Sequence, residues 1–218
     1  MRQRRAGFRL RGAAWVLVPL GLALAVGGTG YFFTAYRGVT VEGSAMEPTY
    51  RVGERLVAER VDAGEIRRGD VVLVRVPGRY GDLPVLQRVI GTGGDDVASD
   101  GDRVTVNGKP ADEPYVRRGA VSPGLDPYDV KVPHGRLFLL GDNRGNANDS
   151  RFFLDERSGS VAAAGVLGRV RDDATAPMAT LALGVLGGVL TLAGIGLGIG
   201  GYAAGRNAAA RPAATGRW

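Results

Sequence analysis

The chain contains no cysteine, so it can form neither a disulfide framework nor a thiolate metal site. It has one histidine, His134, and an imidazole-based zinc site would need several carboxylates to complete its ligands. Lysine is almost absent: Lys109 and Lys131 are the only two, and the other 26 basic residues are arginines. Acidic residues are missing from both ends. Arg2, Arg4, Arg5, Arg9 and Arg11 lie in the first eleven residues, and Arg206, Arg211 and Arg217 in the last thirteen, with no Asp or Glu among them. These eight charges exceed the net charge of +6, so the sequence between them is net negative. The basic balance belongs to two tails and not to a binding face, which argues against a nucleic-acid partner.

Charge is also missing from two long stretches. Residues 12–36 carry none and are long enough, at ~1.5 Å per helical residue, to cross a ~30 Å hydrocarbon core. Trp15 stands near one end of this stretch and Tyr31, Phe32, Phe33 and Tyr36 near the other, the pattern of interfacial aromatic belts. A cleaved signal peptide would be shorter and would need an Ala-x-Ala site that GGTGYFFTAYRG does not offer. Residues 174–205 are uncharged too, and Gly184 to Gly188 and Gly194 to Gly198 have the spacing that lets membrane helices approach closely. The expected layout is a basic cytoplasmic tail (1–11), a span (12–36), a domain on the outer face of the cytoplasmic membrane (37–173), a returning span (174–204) and a second cytoplasmic basic tail (205–218). The arginines set that orientation through the positive-inside rule.

Between the spans the sequence reads as β. ERLVAERV (54–61), DVVLVRVP (70–77), LPVLQRVI (83–90), RVTVNG (103–108), RLFLL (136–140) and GVLGRV (165–170) are short runs rich in Val, Leu and Ile. Asp100-Gly101 and Asn107-Gly108 are tight hairpin signals. The expected fold class is mainly β: a compact antiparallel, barrel-like domain between two transmembrane helices.

Three segments carry chemistry. VEGSAMEPTY (41–50) resembles a Ser-Met-x-Pro-Thr nucleophile segment, LQRVIGTGGDDV (86–97) a Lys-Arg-x-x-Gly-x-Pro-Gly-Asp segment, and FLLGDNRGNANDSRFF (138–153) a Gly-Asp-Asn-Arg…Ser-x-Asp-Ser-Arg segment. In this order, between two anchors, they resemble the type I signal peptidases, the Gram-positive type with two anchors. That resemblance implies a serine endopeptidase fold that removes signal peptides from exported precursors, with no cofactor and no metal. It implies a serine nucleophile and a neutral lysine base, whose ordinary pKa of ~10.4 an apolar pocket must lower. Backbone donors beside the serine would hold the oxyanion.

Carried over residue by residue, the resemblance meets three departures. The nucleophile position holds Ala45, the base position Gln87, and the serine that would partner the lysine is Ala147. Gly43, Met46 and Pro48 stand in the substrate-binding and oxyanion region. Arg88, Gly141, Asp142, Asn143, Arg144, Asp149, Ser150 and Arg151 keep the family's structural motif. All three departures belong to one reaction, so the expectation is a chain that has lost Ser–Lys catalysis and keeps the scaffold. Ser44 is the neighbouring hydroxyl, but on an extended segment adjacent side chains face opposite ways. Lys109 and Lys131 match no base position and read as solvated, and His134 reads as a solvated turn residue more readily than as part of a Ser44–His134–Asp triad. The Asp142, Arg144, Asp149 and Arg151 cluster reads as opposite charges that pair with one another or bond to backbone within a folded loop, not as a metal site.

Four functions stay open at this point. The first is a signal-peptidase-like protein of the export pathway that binds signal peptides or exported precursors, alone or beside an active paralogue. The others are an active peptidase using Ser44, an engineered inactive form of an active enzyme, and a membrane-anchored interaction domain. Membrane lipid is a partner in all four.

Overall fold

The computed structural model describes residues 2–116 and 127–209, and the arginines of the C-terminal tail beyond Arg206 lie outside them. The chain divides into two units, one made of the terminal segments and one of Ala35–Asp172.

The first unit is a helix pair. α1 runs Arg2–Ala35 and α2 Thr175–Ala209. Both are long and apolar enough to span a membrane, over Phe8–Ala35 and Thr175–Arg206. Small residues set how closely they approach. A Cβ built on Gly21 would meet Thr191 Oγ1 at 2.5 Å and the Gly187 carbonyl at 2.7 Å, and one on Gly28 would meet the Gly184 nitrogen at 2.9 Å. Gly194 lies against Val18 and Gly198 against Ala14, whereas Gly188 has nothing within 4 Å. Of the four glycines whose spacing was read from the sequence, Gly184, Gly194 and Gly198 lie in the contact; Gly188 does not, and its neighbour Gly187 does. Close backbone approach of this kind replaces the hydrophobic driving force that lipid removes.

The second unit is antiparallel β, as its Val- and Leu-rich runs lead one to expect. Its strands are β1 (Tyr36–Thr40), β2 (Arg55–Glu59), β3 (Val71–Val74), β4 (Val85–Thr92), β5 (Asp96–Ser99), β6 (Val104–Val106), β7 (Lys109–Pro110), β8 (Tyr128–Lys131), β9 (Arg136–Leu140), β10 (Val161–Ala162) and β11 (Val166–Val170). Among the described residues they form a sheet ordered β1-β2-β11-β3-β4-β9-β10 and a second ordered β7-β6-β5-β8. The mainly-β domain flanked by two apolar helices is the expected fold class.

Two strands hold the core together. On β9, Leu137 and Leu139 enter one apolar cluster with Val72, Val74 and Val89, while Phe138 and Leu140 enter a second with Ile90, Val97 and Val132. Period-two alternation thus buries both faces of one short strand. β4 joins the same two clusters by a bulge: Val89 pairs Leu139 and Gly91 pairs Phe138, leaving Ile90 as the extra residue. Gly91 sits where a Cβ would meet Val97 Cγ2 at 2.5 Å, so the bulge needs a residue without a side chain. The hairpin signals hold. The Asp100 carboxylate accepts from the backbone N–H groups of Asp102 and Arg103 at 2.9 and 2.8 Å, and Asn107-Gly108 turns β6 into β7 with φ of 53° and 73°.

Candidate functional site

The segment 41–50 is not extended. Ser44–Met46 forms a 3-10 turn, with Met46 buried beside Val41, Tyr50, Val71 and Leu86. The alternation argument for Ser44 therefore does not apply. Its hydroxyl instead accepts from Asn146 Nδ2 at 2.7 Å, and its carbonyl from Asn143 Nδ2 at 3.1 Å. Asn143 also donates its backbone N–H to the Ala45 carbonyl at 2.9 Å. The loop after β9 thus clamps the turn that carries Ala45.

Gly141 is where the pieces meet. A Cβ there would collide with the Ala147 methyl and would stand 2.7 Å from the Ala45 carbonyl oxygen. Ala147 is buried, and its neighbour Asn148 presents its carbonyl to Gln87 Nε2 at 2.8 Å. Gln87 is 2% exposed in the middle of β4 and also donates to Tyr80 Oη at 3.3 Å. Ala45, Ala147 and Gln87 come from three distant segments, and this relay of contacts through Gly141 and Asn148 links them. Met46 packs into the apolar cluster of Val41, Tyr50 and Val71, while Gly43 and Pro48 flank the turn on its exposed side.

The structural motif residues fix that relay. Asp142 is fully buried and takes Arg88 in a two-point contact, Nε to Oδ1 at 2.8 Å and Nη2 to Oδ2 at 2.6 Å, together with the Thr49 hydroxyl. One carboxylate therefore ties the Ala45 segment and the Gln87 strand to the loop after β9. Burial is the largest single influence and works against the Arg88 charge, but the hydrogen bonds to Asp142 and the Coulombic attraction of that carboxylate together hold its pKa above the ordinary value. The same guanidinium covers the Tyr115 ring at 3.9 Å. Asp149 accepts from the Gly141 N–H at 3.0 Å and from Arg151 Nε at 2.8 Å, and Ser150 Oγ accepts from the Leu139 N–H at 3.0 Å. Arg144 reaches Glu113 and donates to the Gly141 carbonyl at 3.0 Å. Local pairing or backbone bonding within the loop holds for Arg144, Asp149 and Arg151, although Arg144 also reaches distant Glu113; Asp142 finds its side-chain partners in distant sequence.

The other candidates lie apart. Lys131 is exposed and pairs with Asp96 at 3.2 Å, Lys109 is exposed on β7, and His134 is exposed in the turn against Gly93 and Gly94. Among the described residues no three His, Cys, Asp or Glu side chains gather to hold a metal ion.

A cleft of 430 Å³ opens beside the turn. Val39–Gly43 line one side and Leu83–Leu86 the other, with Ala45, Met46 and Tyr80 between them. β4 pairs with β3 from Val85 onward but with β9 only from Arg88, so on that edge Val85–Gln87 have no strand partner among the described residues. Sequence reasoning missed Tyr80, which lines the cleft and contacts Gln87. Tyr80, Gly81 and Asp82 have φ of 57°, 62° and 60°, and left-handed non-glycine residues of this kind cluster at functional sites. Burial pushes the Tyr80 hydroxyl above its ordinary pKa against the opposing bond from Gln87. Asn146 and Glu113 were missed as well, since no local pattern links them to Ser44 or Arg144.

The family described as "Signal peptidase, peptidase S26" matches residues 12–172. The chain is similar to a signal peptidase I of Bacillus licheniformis, 36% identical over 145 residues, which cover 62% of this chain and 74% of that one. It is also similar to signal peptidase I T of Bacillus subtilis (strain 168), 39% identical over 120 residues, covering 51% and 61%. A solved signal peptidase I from Enterococcus faecalis is 28% identical with a TM-score of 0.41, covering 49% of this chain and 97% of that chain. By the extent of the family match and of the first relative, the chain belongs to the signal peptidase family, peptidase S26.

Proposed function

We propose that this chain is a signal-peptidase-like membrane protein of the export pathway that has lost Ser–Lys cleavage and retains a groove for an extended peptide. The observation that carries the reading is that Ala45 and Ala147 meet at Gly141 and Gln87 joins them through the Asn148 carbonyl, with neither a hydroxyl nor an amine on any of the three. A methyl group cannot attack a carbonyl, and a carboxamide is no base near neutral pH. By analogy with triad knock-outs, losing nucleophile and base together costs about 10⁶ in turnover. The framework is kept all the same: Asp142 still joins Arg88 and Thr49, and Asn143 still holds the turn.

The open edge at Val85–Gln87 and the cleft beside it support binding by strand addition, in which backbone hydrogen bonds supply affinity and shallow side pockets select small side chains. The substrate class is a signal peptide or exported precursor with small residues before its cleavage point. An active paralogue in the same membrane is the partner such a holding function would serve. In this reading the helix pair spans the cytoplasmic membrane at 12–36 and 174–204, with the arginine-rich tails 1–11 and 205–218 in the cytoplasm and 37–173 on the outer face. No cofactor is required.

The test is photo-crosslinking of an Ala-x-Ala precursor peptide to the full chain in lipid vesicles. Saturable crosslinking without cleavage is expected, and Gly43→Trp should abolish it; Gly43 is exposed and a Cβ there meets nothing within 4 Å, so that variant should fold. Absence of saturable binding would reject the groove and favour a non-catalytic interaction domain.

A further inference from the structure

We propose that the helix pair holds one anionic phospholipid in a groove at its arginine-rich end. The groove has a volume of 630 Å³; its α1 wall runs from Arg11 to Leu22 and its α2 wall from Gly194 to Tyr202. Its floor is low because Gly198, which has no side chain, faces Ala14: a Cβ built on Gly198 would already stand 3.4 Å from the Ala14 methyl. Trp15 stands exposed on the rim. The α1 wall covers about 16 Å of helix, close to one leaflet of a ~30 Å hydrocarbon core. A slot that is apolar along its length and one leaflet deep fits an acyl chain.

The headgroup end is equally defined. Arg11 lines the groove mouth, its guanidinium 5.4 Å from the centre of the Tyr202 ring. Gly205 gives it room: a Cβ at that position would stand 2.9 Å from Arg11 Nη2. Arg9 precedes it on α1 and Arg206 ends the spanning part of α2, and no acidic residue lies in the first eleven residues or the last thirteen. A phosphate at the mouth therefore meets only positive charge. A lipid with net negative charge gains from that surrounding field, and a zwitterionic lipid brings its own cation into it. The occupant is therefore an anionic phospholipid, its phosphate on Arg11 and one chain along Trp15 and Gly198.

Trp15 offers a direct readout, because the chain has two tryptophans and Trp218→Phe leaves Trp15 alone. The full chain is reconstituted in phosphatidylcholine vesicles containing a small fraction of brominated phosphatidylglycerol or, in parallel, brominated phosphatidylcholine. Bromine quenches the indole when its chain occupies the groove. The expected result is a preference of roughly fivefold for the anionic lipid, the scale of one arginine at a membrane surface. Arg11→Gln should remove most of it, Arg11→Lys should keep it, and Arg9→Gln should leave most of it in place. Gly198→Leu, which fills the slot with the charges intact, should reduce quenching by both lipids. Equal quenching by the two lipids would overturn the proposal. So would equal losses from Arg9→Gln and Arg11→Gln, the mark of diffuse attraction to the surface and not of a site.

Discussion

Removing either partner of the Arg88–Asp142 pair should unravel the architecture of the site before it touches the rest of the β unit. The Asp142 side chain has no exposure and that of Arg88 12%, so both charges have largely left water. Breaking such a pair leaves one desolvated charge without its counter-ion, at a cost of about 3–5 kcal/mol. Arg88→Met also strips the donor to the Gly69 carbonyl and the cation over Tyr115, which puts it at the upper end. For a unit of this size that loss lowers Tm by roughly 15 °C. The double variant Arg88→Met/Asp142→Leu removes both charges, so its loss should fall short of the summed single losses by about 2 kcal/mol. Thermal unfolding of the four proteins in one detergent measures the cycle. A Tm change under about 3 °C for each single variant, or a strictly additive double variant, would refute the claim that this carboxylate ties the segments together.

Two further outcomes concern protons. The Glu59 carboxylate is held below its ordinary pKa first by the hydrogen bond from Arg171 at 2.9 Å and also by Arg169, which faces it from β11. A carboxyl whose folded value is depressed stabilises fully above its unfolded value, about 4.3, and loses that contribution as pH falls through the folded value. The stability gap between the native chain and Glu59→Gln should therefore close on acidification below about pH 4; a gap that is constant or widens would contradict the assignment. In a chain carrying Ala45→Ser, Gln87→Lys and Ala147→Ser, the new lysine would occupy a position that is 2% exposed in the native protein. Burial disfavours the ammonium, so cleavage should rise with pH through a midpoint below ~10.4. A rate that falls over the same range would rule out a lysine base there.

The strands were legible where β-branched and leucine-rich runs are long enough to carry a pattern: β2, β3, β6, β9 and β11 lie inside such runs, and β4 starts in one and continues two residues past its end. β1, β5, β7, β8 and β10 were not, because two to five residues such as Tyr-Arg-Gly-Val-Thr or Val-Ala become strands through their partners and not through their own propensity. At the site the motif residues could be read by resemblance, but their partners could not. Thr49 meets Asp142 across 93 residues and Glu113 meets Arg144 across 31, separations at which no spacing rule operates. The Ser44–Met46 turn was misjudged as extended because Gly-Ser-Ala has no strong preference of its own, and its form is set by Asn143 and Asn146. Tyr80 stayed hidden in a loop whose left-handed backbone only the fold displays.

The central claim is that the scaffold is intact and the chemistry absent, and one cleavage assay tests it most directly. An Ala-x-Ala precursor is offered to the full chain and to the Ala45→Ser/Gln87→Lys/Ala147→Ser variant, each reconstituted in lipid. The account predicts no cleavage by the native chain and cleavage by the variant at the small-residue site. Cleavage by the native chain that Ser44→Ala abolishes would contradict it, because a second hydroxyl would then be carrying the reaction.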